Sequence, residues 1–102
     1  MLAAARIDDN IVTGHPCTAI AKIGPTPLQT NVLINGIPAA IVGTMIEPHK
    51  FLPGSSCVPH VGQVVNAGSS KVTAGGIPIG RIGDSADLGA IIQGSPSVFI
   101  GG

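Results

Sequence analysis

The sequence predicts a small all-β domain of short hairpins, with Gly- and Pro-rich turns and no substantial helix, and three observations carry that prediction. Composition is the first: 15 Gly and 9 Pro accompany 44% apolar and only 10% charged residues. Disordered segments are poor in Val and Ile and rich in charge, so this chain folds, with many turns between short apolar runs. The second is the lack of helical periodicity, since no stretch of eleven residues is both free of Gly and Pro and apolar at a 3.6-residue period. The third is internal repetition.

In chain order, Ala4-Ala5-Arg6-Ile7 resembles Gly80-Arg81-Ile82, the second half of a unit met later. The first full copy runs from Asn31 to Gly43 and the second from Lys71 to Gly83. Val32, Gly36, Pro38 and Gly43 are matched by Val72, Gly76, Pro78 and Gly83. A truncated copy, Ser97-Val-Phe-Ile-Gly-Gly, ends the chain, so the first and last segments read as two parts of one broken repeat and the pattern closes at roughly three units. Each unit reads as a hairpin: a β-branched run, a turn at Asn35-Gly36 or Gly75-Gly76, and a second run opening with Pro. Both turns suit type I′, whose two central positions need φ > 0. Pro38 and Pro78 lack a backbone donor and belong at strand starts or on an edge. Between the units lie two irregular stretches, Thr13 to Pro27 and Glu47 to Val61, and these hold every His and Cys in the chain.

A chain of 102 residues is one domain, 1–102, with a thin core. It has no Trp or Tyr and only two Phe, so something besides core burial is expected to hold it together. Five basic and five acidic side chains cancel, leaving no electrostatic footprint for nucleic acid or an anionic membrane. No apolar run approaches the roughly 20 residues of a membrane span, and acidic residues stand where a signal peptide would have its apolar region. Export, if it occurs, is expected to read no N-terminal signal.

His49, Cys57 and His60 fall in one of the irregular stretches, and His15 with Cys17 in the other. Mixed imidazole and thiolate donors suit zinc, and four protein ligands make a closed structural site. The expected ligands are His15, His49, Cys57 and His60, with Cys17 as the substitute. The Cys57-Val-Pro-His60 spacing lets both side chains reach one ion from a turn stiffened by Pro59. The competing reading is a Cys17–Cys57 disulfide, and the metal is favoured because all five candidates are confined to two segments of a core-poor domain. A catalytic zinc would need an open position and a nearby base, and Glu47 is the only carboxylate in its stretch, so no catalytic residue is assigned. Asp8-Asp9 and Asp84 with Asp87 each follow an Arg-Ile and read as turn formers at strand ends. The Gly-Ser pairs at 54–55, 68–69 and 94–95 lack the context of a phosphate loop.

The phrases Pro38-Ala39-Ala40-Ile41 and Pro78-Ile79-Gly80-Arg81 resemble the Pro-Ala-Ala-Arg signature of PAAR-repeat proteins. His15-Pro-Cys17 after a Gly, Cys57-Val-Pro-His60-Val-Gly and Arg81-Ile82-Gly83-Asp84 are similar to that family as well. The chain departs from the pattern at Ile41 in place of Arg, Gly80 in place of Ala, Ala3 in place of Pro, Thr44 in place of an acidic residue, and Leu88 where relatives carry Cys or His. That last change argues against a metal contact from the C-terminal loop. The resemblance implies a small cone of pseudo-threefold β-hairpins, monomeric by itself, with structural zinc near its apex. It further implies a base seated on a trimeric β-helical spike, of VgrG type in type VI secretion or the central spike of a contractile phage tail. Such a tip would aid membrane piercing, meet the target membrane transiently, and at most help load effector cargo. Its place is the virion tail tip, or the bacterial cytoplasm before export through type VI secretion.

Overall fold

The computed structural model describes residues 1–52 and 54–101, and among them there is no helix. Three two-stranded ribbons form one end of the molecule. In the first, β1 (Leu2–Ala3) pairs with the last strand, β12 (Phe99–Ile100). The others join β4 (Leu33–Ile34) to β5 (Ile37–Pro38) and β8 (Thr73–Ala74) to β9 (Ile77–Pro78). Their two-residue turns have φ of 56° at Asn35, 78° at Gly36, 62° at Gly75 and 83° at Gly76, as type I′ requires. Chain start and chain end thus rebuild the broken repeat across their own pairing.

Just past these ribbons the three units meet around a common axis. The Ala5 N–H donates to Gly80 O at 2.9 Å, Gly80 N–H to Ala40 O at 2.8 Å, and Ala40 N–H to Ala5 O at 3.0 Å, closing a three-membered ring of backbone hydrogen bonds. Bridges Ala4↔Arg81, Arg6↔Ala39 and Ile41↔Ile79 repeat the same geometry one residue out. Small residues occupy the ring, and core side chains crowd it: a Cβ on Gly80 would lie 3.1 Å from Ile91 Cδ1 and 3.3 Å from Val65 Cγ1, so those side chains would have to give way.

Three residues beyond the ring the chain turns a corner in each unit. Asp8, Gly43 and Gly83 occupy it with φ of 74°, 95° and 91°, and each donates its N–H over 2.9 Å to the carbonyl of Ile23, Val65 or Ile91. One residue further, a side chain closes the corner. Asp9 Oδ2 accepts from Arg6 N–H at 2.8 Å, Asp84 Oδ2 from Arg81 N–H at 2.9 Å, and Thr44 Oγ1 from Ile41 N–H at 3.1 Å. Where the carboxylate is present an Arg pairs with it, Arg6–Asp9 at 3.0 Å and Arg81–Asp84 at 2.9 Å. The hydrogen bond to Asp84, with its charge adding to it, holds the Arg81 guanidinium above its ordinary pKa against the opposing effect of desolvation. In the second unit Ile41 is buried instead, so its neutral Thr44 leaves no charge without a counter-ion.

Beyond the corners, β2 (Asn10–Val12), β3 (Ile20–Lys22), β10 (Ser85–Ala86) and β11 (Gly89–Ile91) form a four-stranded antiparallel sheet in the order β10-β11-β2-β3. β6 (His49–Phe51) and β7 (Val58–His60) form a separate hairpin. Neighbouring units interlock through Ile11↔Ile91, Ile23↔Ile46 and Val65↔Ala86, and these side chains pack with Ala5, Ile7, Ala21 and Ala40 as the larger core cluster. The result is elongated, 41 Å by 23 Å by 21 Å. The stretches from Thr13 to Pro27 and from Glu47 to Val61 are therefore not irregular. Each contains strands of only three residues, too short for a hydrophobic period to show in sequence.

Candidate metal centre

Three hairpins end together at the pole opposite the β1–β12 ribbon, and each delivers a donor to one point. His15 comes from the loop between β2 and β3, anchored by Thr13, whose buried hydroxyl donates to the His15 carbonyl at 3.2 Å. His49 and His60 are direct cross-strand partners in β6–β7, so their side chains leave the same face. Asp87 occupies the two-residue turn between β10 and β11, at φ 54°.

The donor atoms lie at mutual distances suited to one cation. His15 Nε2 is 3.1 Å from both His49 Nε2 and His60 Nδ1. Asp87 Oδ2 lies 2.8 Å from His49 Nε2, 3.0 Å from His15 Nε2 and 3.9 Å from His60 Nδ1. A tetrahedron with metal–ligand bonds of about 2.0–2.1 Å has edges of about 3.3 Å, in the middle of that range.

Second partners of the rings sharpen the case. His49 Nδ1 lies 2.8 Å from Glu47 O and His15 Nδ1 3.3 Å from Pro16 O; a carbonyl only accepts, so both rings carry a proton on Nδ1. In the neutral rings the Nε2 lone pairs then point at each other and at a carboxylate, an arrangement that a shared cation turns from repulsion into attraction. Asp87 is completely buried in its side chain, and its Oδ1 has no hydrogen-bond partner. The group His15, His49, His60 and Asp87 can hold a metal ion. Phe51, its ring 4.4 Å from that of His60, covers one side.

The expected ligand set is corrected at the thiolate. Cys57 is bonded to Cys17 in a disulfide, so neither sulfur is available to a metal. The residues after Cys57 run out as extended strand rather than closing a turn, and in extended chain positions three apart point to opposite faces. The fourth group that could serve a metal is instead Asp87 of the C-terminal loop, where its neighbour Leu88 argued against a contact. Glu47 lies off the site, with Oε1 accepting from Lys22 N–H at 3.2 Å. Sequence reasoning passed over Asp87 as a turn former, which it also is. The available signal was the repeat: in the third unit, residues 87 and 88 stand where the first two units carry their His-bearing loops.

No curated protein matches the chain. The PAAR motif family matches residues 55–102, a span that includes the second unit's return strand and the whole of the third. That motif marks spike-tip proteins of contractile injection systems, structural proteins by family. Residues 55–102 thus carry a PAAR motif, in a chain whose hydrogen-bonded unit closes three times around a single axis.

Proposed function

We propose that this protein is the structural tip of a contractile injection spike, capping a trimeric β-helix by its base and stiffened at its apex by zinc. The observation that carries the reading is the ring joining Ala5, Gly80 and Ala40. A monomer whose backbone repeats three times about an axis presents three near-equivalent edges to a trimer, and strand edges are templates for pairing. The base adds apolar surface from each ribbon, with Leu2, Leu33, Ile77 and Phe99 all exposed. His15, His49, His60 and Asp87 would hold the zinc as a closed four-ligand site, whose role is cross-linking; in small domains such a site supplies roughly 10–16 kcal/mol of apparent binding free energy. Such a tip acts on a phage tail or a VgrG-type spike and leaves its cell with it.

The test is assembly with a candidate trimeric spike, followed by light scattering on the separated complex. One tip per three spike chains is expected. The double variant Leu33→Asp/Phe99→Asp should lower that affinity at least tenfold while leaving the fold intact by circular dichroism. Unchanged binding would remove the base from the contact.

A further inference from the structure

We infer that the apical metal centre is free of thiolate: Asp87 completes it, and the Cys17–Cys57 pair is a separate, redox-dependent staple that opens and closes without disturbing the metal. The inference rests on the metal reading above and specifies its chemistry. Three facts support it. Four donors from three hairpins already surround one point without sulfur. The Asp87 carboxylate is fully buried and short of a partner, while its backbone is fixed by Asp87 N–H to Val64 O at 3.1 Å and by Asn66 Nδ2 to Asp87 O at 2.9 Å. Cys17 and Cys57, by contrast, are both exposed and bonded to each other, on loops that reductants and oxidants reach.

The redox step balances simply. Two thiols lose two protons and two electrons to a disulfide oxidant such as oxidised glutathione, forming the Cys17–Cys57 bond and two equivalents of reduced glutathione; a dithiol reverses it. A zinc–thiolate site gives up its metal when the sulfur is oxidised. Here the ion is held by imidazole and carboxylate, which that oxidant leaves alone, so the apex keeps its metal in a reducing compartment and in an oxidising one. The disulfide then adds a second link between the β2–β3 and β6–β7 loops only in the latter.

The experiment uses the full-length protein loaded with zinc, dialysed, and analysed for zinc and free thiol after treatment with a phosphine reductant or with oxidised glutathione. One zinc per chain is expected in both states, with two thiols and none respectively. The Cys17→Ser/Cys57→Ser variant should keep its zinc, and Asp87→Asn should bind it at least tenfold more weakly. Cobalt(II) in place of zinc gives a readout on the folded wild-type chain, and no sulfur-to-cobalt charge-transfer band is expected in either redox state. Such a band, or zinc bound only by the reduced chain and lost in the double serine variant, would overturn the thiolate-free centre while leaving a metal apex standing. No metal in any state would overturn both, and spike binding would still be decided by its own assay.

Discussion

Gly89 shows how little room the apical sheet leaves. A Cβ there would collide with the Val12 carbonyl across the β2–β11 pair, and neither backbone can yield without breaking the ladder. Gly89→Ala is expected to destabilise the chain by at least about 1–3 kcal/mol, read from urea unfolding. Asp87, two residues away, forms the turn and also brings its buried carboxylate beside the three imidazoles, which is why its place in the cluster was hard to read. Asp is common in turns for local reasons, so its identity alone carries no metal signal. The histidines were legible because imidazoles gathered in two segments of an otherwise featureless chain are unusual. Cysteine was misjudged because the choice between a thiolate ligand and a disulfide depends on which face of an extended strand the sulfur leaves.

Among the elements, the β4–β5 turn is tied to the rest of the molecule more firmly than its twin. Asn35 Oδ1 accepts from Arg6 Nη1 at 3.2 Å and from Ser95 Oγ at 2.6 Å, and its Nδ2 donates to Ser97 Oγ at 2.9 Å. Asn35→Gly keeps the positive φ but loses these links, whereas Asn35→Val loses both. The Val variant should therefore be the less stable of the two by about 1–2 kcal/mol, measured by thermal and urea unfolding. Equal losses would mean that backbone conformation contributes nothing at this turn. These hairpins were legible in sequence because Asn-Gly and Gly-Gly announce them. The β6–β7 hairpin was not, since its turn lies in a long loop and a Lys-Phe and a Val-Pro carry no clear alternation.

At the scale of the whole molecule, a thin core is supplemented by a disulfide between two of the loops at one pole. The disulfide spans 40 residues, which by chain entropy corresponds to about 4 kcal/mol. A domain of this size has ~5–15 kcal/mol in total. In the presence of a chelator, reduction should accordingly lower the unfolding free energy by about 4 kcal/mol in urea titrations. A change near zero would place the constraint in a denatured chain that is already compact. The threefold plan was visible from the repeat, but the ring itself was not, because it is made of backbone groups that sequence does not distinguish.

The pairing of β1 with β12 makes the polypeptide a circle cut at one turn. Its two companion ribbons are each continuous through a two-residue loop, whereas this one brings together residues 2 and 100. Chain order is therefore almost arbitrary with respect to the architecture. Joining the two ends of this chain with a short Asn-Gly linker and reopening it at 35–36 or 75–76 would give a permuted sequence with the same strand pairings. The seam is then one more difference among three sectors that already differ at their corners and in their apical loops.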